Sequence, residues 1–96
     1  MKVIISERAE QNLDSIVLYL ETEWSVRVRD KFLEVLKSKI EQIAKTPQMY
    51  EVSSKKKTIR RCVVSKQTSL YYRAKKEEIE IITIQDNRQN PRKLKL

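Results

Sequence analysis

The stretch 58–85, TIRRCVVSKQTSLYYRAKKEEIEIITIQ, decides the fold. It contains three runs rich in β-branched and aromatic residues, and two short polar turns separate them. The runs are Thr58–Val64, Ser69–Ala74 and Ile79–Gln85. Strands with such short connections pair as an antiparallel meander. The stretch therefore predicts three neighbouring strands.

The residues before this stretch have the periodicity of two α-helices. Apolar side chains recur at helical spacing over residues 7–23 and again over residues 28–45. Ser6 and Ser25 are placed to cap the two helices. Thr46-Pro47 ends the second one, because the residue before a proline avoids the α region. Almost no residues separate the helices, so we expect them to fold back as an antiparallel hairpin.

A short apolar run, Lys2–Ile5, precedes the helices and predicts a first strand. The resulting order is β-α-α-β-β-β. We expect a two-layer α+β domain, an antiparallel sheet of about four strands covered on one face by the helical hairpin. Ninety-six residues can bury one modest core, so residues 1–96 are interpreted as a single domain.

The net positive charge of the chain belongs to its strand-rich second half. Residues 1–51 carry eight Lys or Arg and nine Asp or Glu, whereas residues 52–96 carry thirteen and four. A basic half with a net charge of +9 fits a polyanion or an acidic protein partner. The alternative is an ordinary solvated basic face.

The composition excludes several kinds of site. The chain has no glycine, which removes the P-loop and Rossmann fingerprints, and no histidine, which removes a histidine triad. With one cysteine as well, a structural zinc site is excluded, and we expect neither a metal nor another cofactor. The single cysteine, the lack of a long apolar segment and the absence of a visible signal peptide predict a cytoplasmic protein.

Strand alternation predicts which side chains share a face of the sheet. Tyr71 and Arg73 should share the open face with one of the adjacent Arg60 and Arg61. The opposite set, Leu70, Tyr72 and Ala74, should face the core. Cys62 should pack in or beside the core, and the helix residues Tyr19, Trp24 and Phe32 should be core or hairpin-packing residues. Guanidinium groups beside a tyrosine suit phosphate recognition, although arginine stems can also simply cover apolar surface.

The last strand ends in a dense polar cluster, Asp86-Asn87-Arg88-Gln89-Asn90-Pro91. Such residues are common in turns, but here five hydrogen-bonding side chains would meet at one end of the sheet. Together with the lysine run Lys55–Lys57 in the loop, they enlarge the set of candidate binding residues. Those interpreted as contacting a partner or target are Lys55, Lys56, Lys57, Arg60, Arg61, Arg73, Asp86, Asn87, Arg88 and Arg92.

An ordered series of motifs resembles the RelE/ParE superfamily of toxins from bacterial type II toxin–antitoxin systems, which have this β-α-α-β-β-β fold. The motifs run along nearly the whole chain: Ser-Glu-Arg-Ala-Glu-x-x-Leu from residue 6, Tyr-Leu-x-x-x-Trp from 19, Arg-Arg-x-Val-Val from 60, Leu-Tyr-Tyr-Arg from 70 and Ile-x-Ile-x-x-Ile-x-Asp-Asn-Arg-Gln-Asn-Pro from 79.

The resemblance implies a toxin of a plasmid-stabilisation module, neutralised by a cognate antitoxin through which the complex could bind operator DNA. The ParE-like branch acts on DNA gyrase and is favoured here. Asp86 stands where many ribosome-dependent, RelE-like nucleases carry a histidine, and Val64 stands where a further arginine would help such a nuclease.

Two alternatives stay open. One is a metal-independent mRNA endonuclease acting on the ribosome, with Arg61, Arg73, Arg88 and Tyr71 as its catalytic residues. The other is a nucleic-acid-binding module without toxicity.

Overall fold

The computed structural model describes residues 1–88 and contains two helices and four strands within them. Their order is β1 (Lys2–Ile5), α1 (Glu7–Glu23), α2 (Val26–Lys45), β2 (Arg60–Val63), β3 (Thr68–Ala74) and β4 (Glu78–Asp86). The predicted α+β class, element order and helical hairpin are confirmed. Neither helix is long and apolar enough to cross a bilayer.

The helix ends follow from the capping residues in the sequence. Ser6 Oγ accepts a hydrogen bond from the Ala9 N–H at 3.0 Å, and Ser25 Oγ accepts one from the Val28 N–H at 3.1 Å. Each such cap stabilises its helix by about 1 kcal/mol. The second helix ends at Lys45, directly before the Thr46-Pro47 pair. The sequence therefore defines the hairpin locally.

The four strands form one sheet in the order β1-β4-β3-β2. The β2–β3 and β3–β4 pairs are antiparallel, as predicted. The expectation of an antiparallel sheet throughout is wrong for β1, which runs parallel to β4 with Ile5 opposite Ile81. Short turns in the sequence fix the direction of consecutive strands only. The helical hairpin, β2 and β3 separate β1 from β4 in the chain, and a connection of this length allows β1 and β4 to pair in parallel.

The core lies between the hairpin and the helix-facing side of the sheet. Its fully buried members include Ile16 and Leu20 from α1, Ile43 from α2, and Cys62, Leu70, Tyr72, Ile79 and Ile81 from the strands. Phe32 and Cys62 are buried as predicted. Trp24 is 61% exposed, so the prediction that it is a core or hairpin-packing residue is wrong. It is the C-cap of α1, with non-helical backbone angles, and lies beyond the helical repeat.

A bulge in β4 gives α1 a polar attachment point. Tyr72 lies opposite Ile81 and Tyr71 opposite Thr83, which leaves Ile82 as an extra residue in β4. Asn12 Oδ1 on α1 accepts hydrogen bonds from the Ile84 N–H at 3.1 Å and from Thr83 Oγ1 at 2.8 Å. The Ile84 N–H of β4 thereby has a side-chain acceptor on α1.

Candidate partner-binding surface

The long loop 46–59 is held against the edge of the sheet at several points. Tyr72 donates its hydroxyl hydrogen to the Pro47 carbonyl at 2.6 Å, and Arg60 Nη1 donates to the Tyr50 carbonyl at 2.7 Å. The Arg61 N–H donates to the Glu51 carbonyl at 2.9 Å. The loop therefore runs beside β2 like a short extra strand, and Val52 forms an isolated bridge with Arg60.

The lysine run lies at the tip of this loop. Lys55, Lys56 and Lys57 are exposed. The turn that presents them is closed by the Ser53 N–H, which donates to the Ile59 carbonyl at 2.6 Å, and by the Ile59 N–H, which donates to the Lys56 carbonyl at 3.1 Å. Three positive charges therefore stand on an anchored turn.

Tyr50 of the loop, Tyr72 and Cys62 form a neutral cluster between the loop and the sheet. The rings of Tyr50 and Tyr72 meet edge to face, with centroids 6.5 Å apart. Burial raises the pKa of Tyr50 to about 12 and also raises the pKa of the Cys62 thiol. Because the thiolate is the reactive form, Cys62 acts here as a small apolar core residue rather than as a nucleophile.

The loop and the open face of the sheet enclose a groove of about 580 Å³, called here the sheet groove. Its loop wall is residues 49–55, and its strand wall consists of Arg61, Val63 and Tyr71. Arg61 Nε donates to Ser69 Oγ at 3.1 Å, which fixes the guanidinium on the open face. Tyr71 is only 7% exposed because it lies at the bottom of the groove. The lining thus carries two cations, Lys55 and Arg61, and one carboxylate, Glu51, with exposed apolar residues beside them.

Arg73 also belongs to the open face, but its charge is already paired. Its Nη2 donates to Glu80 Oε1 at 2.7 Å, and Lys75 Nζ lies 3.7 Å from the same oxygen. The hydrogen bond from Arg73 is the main cause of the lowered pKa of Glu80. Any ligand that contacts Arg73 therefore meets a guanidinium group that is already paired with Glu80.

Asp86 and Arg88 form a second ion pair, which is largely buried. Asp86 Oδ1 accepts from both the N–H and the Nε of Arg88 at 2.9 Å, and Thr68 Oγ1 donates to Oδ2 at 2.9 Å. Burial alone would raise the pKa of Asp86, but these hydrogen bonds outweigh it and lower the pKa. The carboxylate is fully buried, so Asp86 holds Arg88 in place and is not itself at the surface.

Arg88 lies on the helix side of the sheet, away from Arg61 and Arg73. Its guanidinium carbon is 5.9 Å from the ring centroid of Tyr19 on α1, a cation–π contact. The neighbouring Asn87 is exposed, and its N–H donates to the Gln67 carbonyl at 2.7 Å. Arg92, the last of the predicted binding residues, lies outside the described residues.

Sequence reasoning missed two residues of this region. Tyr19, expected to be a core or hairpin-packing residue, contacts the guanidinium of Arg88, and buried Thr68 donates a hydrogen bond to Asp86. One signal could have indicated Thr68, since a threonine at the start of a strand can donate to a carboxylate at the end of the neighbouring strand. Thr68 lies opposite Asp86 in the register of β3 and β4.

Comparison with known proteins identifies the family. The profile of the ParE toxin of the type II toxin–antitoxin system parDE matches residues 3–91. The chain belongs to the ParE toxin family. No curated protein matches its sequence significantly.

Solved structures share the ParE fold at low sequence identity. A chromosomal ParDE system protein from P. aeruginosa is 21% identical, with a TM-score of 0.62 over 90% of this chain and 95% of that one. A YoeB/ParE toxin from Agrobacterium tumefaciens is 12% identical, with a TM-score of 0.68 over 90% and 98%. A copper-bound mutant toxin from Helicobacter pylori is 16% identical, with a TM-score of 0.67 over 94% and 98%. These likenesses establish the fold of this ParE-family chain.

Proposed function

We propose that this ParE-family toxin arrests growth by binding and inhibiting an essential target, DNA gyrase, without cutting nucleic acid. The separation of the three candidate arginines carries this proposal. Arg61 and Arg73 lie on the open face, whereas Arg88 lies on the helix side against Tyr19. Catalysis of phosphodiester cleavage needs preorganised charges aimed at one phosphate. Three arginines on two faces, two of them paired with carboxylates, support binding rather than that chemistry.

The surroundings of Arg61 support a protein target. Met49, Val52 and Val63 line the sheet groove and are each 43–50% exposed. Exposed apolar side chains around an arginine are typical of the centre of a protein–protein interface. A nucleic-acid groove would favour further cations in those positions.

Expression without an antitoxin tests the proposal. We expect growth to stop, and plasmid supercoiling to fall before translation does. Purified protein should inhibit gyrase, and Arg61→Ala should weaken that inhibition about tenfold or more, as loss of an interface arginine does. Lys76→Ala is the matched control, because it removes a cation from the distant β3–β4 turn. A loss of translation before any change in supercoiling would contradict a gyrase target.

The mRNA endonuclease remains the second candidate, supported by the convergence of Arg61, Tyr71 and Lys55 on one groove. In that mechanism Arg61 holds the phosphate and Tyr71 or a lysine moves the proton. Primer extension on mRNA from translating ribosomes, with and without a chelator, distinguishes the two. Cleavage at defined codon positions that Arg61→Ala and Tyr71→Phe abolish would replace the gyrase proposal. Steeply salt-dependent binding to naked nucleic acid without growth arrest would instead indicate a simple binding module.

The antitoxin is proposed to place an acidic segment across the basic sheet and the Lys55–Lys57 turn. Electrostatic steering by the exposed lysines should make association fast and sensitive to salt. Reversing all three charges should slow association and flatten its salt dependence, with the fold intact because the residues lie at a loop tip. Stopped-flow mixing with the cognate antitoxin measures this. Wild-type kinetics at low salt would place the docking surface elsewhere.

A further inference from the structure

The two edges of the sheet differ in how they are protected. Beside β2, the loop 46–59 covers the edge and presents Lys55–Lys57 at its tip. At the other edge β1 is the terminal strand, and no strand of residues 1–88 lies on its outer side. An uncovered edge strand offers unpaired N–H and C=O groups to another chain. The β1 edge is therefore where the sheet can accept a further strand.

The hydrogen bonds of β1 show which of its backbone groups face outward. The N–H groups of Lys2 and Ser6 donate to carbonyls within residues 77–81, at 3.3 and 2.9 Å. In a parallel pair, alternate residues bond to the neighbouring strand. Val3 and Ile5 therefore direct their N–H and C=O groups away from β4, and these four groups are the ones that an added strand would use.

The side chains of β1 make this edge apolar on both faces of the sheet. Val3 and Ile5 lie beside buried isoleucines of β4 on the helix side, and Ile4 lies beside Glu80 on the open face. The three side chains are 36–37% exposed. Proteins usually protect such an edge with a charge, a proline or a bulge. The segment Val3–Ile5 has none of these, so nothing in it opposes pairing.

We propose that β1 pairs with β1 of a second copy of this chain, antiparallel and about a two-fold axis between the two Ile4 residues. In this register Val3 exchanges two hydrogen bonds with Ile5 of the second copy, and the symmetry repeats the pair. All four outward backbone groups are then used. Ile4 faces Ile4 of the second copy on the open face, and Lys2 faces a serine rather than another lysine. The strand is complementary to itself.

Charge favours a second copy as the occupant. The net charge of +8 would oppose self-association if it were spread evenly. Residues 1–14 and 75–80, which contain and adjoin β1, carry four Lys or Arg and six Asp or Glu, a net of −2. The Lys55–Lys57 turn lies beyond β2, three strand spacings or about 14 Å from β1, and physiological salt screens charges beyond about 8 Å. An acidic partner finds no excess of cations at this edge, whereas an apolar strand fits it.

The pairing would leave the sheet groove open in both copies. Two four-stranded sheets would join as one, with both helical hairpins on the same side, because the axis is perpendicular to the sheet. The two β2 strands would lie seven spacings apart, about 34 Å. The dimer would thus present two sheet grooves and bind a target with two sites more tightly than one chain does. Two such short strands bury less than the roughly 1,200 Å² of a stable interface, so the dimer should be weak.

Analytical ultracentrifugation of the full-length protein tests the pairing. We expect the average mass to rise from one chain toward two between about 10 and 500 µM, as a dissociation constant of about 100 µM requires. Ile4→Lys should keep the protein monomeric, because like charges would then meet directly across the axis. Val63→Lys is the matched control, a 49% exposed apolar residue on the opposite edge strand, and should dimerise like wild type. Circular dichroism checks that both variants fold.

Disulfide cross-linking tests the register, and it remains decisive if Ile4→Lys does not fold. Ile4→Cys places two thiols at the axis with Cα atoms about 4.5 Å apart, a separation that a disulfide spans. Oxidised glutathione should therefore convert this variant to a covalent dimer. Wild type, whose only cysteine is the fully buried Cys62, should stay uncross-linked, and so should Val63→Cys.

Several results overturn the proposal. A wild type that stays monomeric at every concentration excludes the pairing, and a folded Ile4→Lys that dimerises like wild type places the interface elsewhere. Hydrogen exchange identifies the other occupants. Slow exchange of the Val3 and Ile5 amides in a monomeric wild type assigns the edge to the chain's own residues 89–96, and slow exchange only with the antitoxin present assigns it to the antitoxin. No measurement involves growth or gyrase, so failure of the pairing and failure of the proposed function are distinguishable.

Discussion

Two arginine–carboxylate pairs of the same chemistry sit in different surroundings in this protein. Arg73 and Glu80 face each other across two strands on the open face, with side chains 43% and 27% exposed. Arg88 and Asp86 are 22% and 0% exposed, and the carboxylate is also hydrogen-bonded by Thr68. Solvent screens the Arg73–Glu80 pair, so its net contribution to stability is small. In the Arg88–Asp86 pair, fixed hydrogen-bond donors of the protein replace the water around the carboxylate. Burial, rather than residue type, therefore determines which of the two ion pairs contributes to the stability of the fold.

Removing the carboxylate from each pair should give the largest difference in stability between the two sites. Asp86→Ala leaves Arg88 without its carboxylate and the buried Thr68 hydroxyl without its acceptor. We expect the free energy of unfolding to fall by about 2–4 kcal/mol, less than for a fully enclosed pair because Arg88 can turn toward water. Glu80→Ala, the matched change on the open face, should cost about 1 kcal/mol or less. Urea denaturation measures both, and equal losses would refute the distinction.

The contribution of Thr68 sharpens the description of the buried pair. Thr68→Val keeps the shape of the side chain but removes a hydrogen bond to a charged acceptor, which should cost about 1.5 kcal/mol. Thr83→Val is the control, because Thr83 donates to the neutral oxygen of Asn12. It should cost less in the same denaturation experiment. A Thr68→Val variant as stable as wild type would show that Arg88 alone satisfies Asp86.

Lowering the pH should reduce the stabilisation that both ion pairs give, and the reduction should be larger for the Asp86 pair than for the Glu80 pair. Asp86 and Glu80 both have lowered pKa values in the folded protein. Their stabilisation is therefore present above the unfolded-state pKa values of about 4 and is lost as pH falls through the folded ones. Unfolding free energies measured from pH 7 to pH 2 should decline below about pH 4. Asp86→Asn should flatten that decline more than Glu80→Gln does, and the reverse order would place the larger linkage on the exposed pair.

Added salt should change the unfolding free energies less than any of the substitutions or the change of pH. Raising the ionic strength to about 1 M should erase the few tenths of a kcal/mol that separate Glu80→Gln from wild type, because the pair is exposed to screening ions. The deficit of Asp86→Ala should persist, since its environment excludes those ions. If salt diminished both deficits in proportion, the Asp86 site would be open to solvent.

Local signals in the sequence were sufficient for the elements and for one face of the sheet. Serine caps and a proline set the helix ends. Strand alternation placed Tyr72 inside and Arg73 on the open face, but it did not decide which of Arg60 and Arg61 joins Arg73 there. The resemblance to the superfamily rested on motifs that occur in order along the chain, and the match to the ParE toxin family confirms it. These features depend on residues within a few positions of one another, which is why they could be predicted.

The sequence by itself thus determined the helices, the meander, the basic half and the family. Only the tertiary structure decided that β1 pairs in parallel, that Trp24 is exposed, and that Arg88 lies on the opposite side of the sheet from Arg61. The pairing of Asp86 with both Arg88 and Thr68 joins β4 to β3, and the Asn12 contact joins a helix to a strand 71 residues away. Such contacts depend on how whole layers pack, and no local pattern of residues encodes which face a side chain reaches once a bulge has shifted the register.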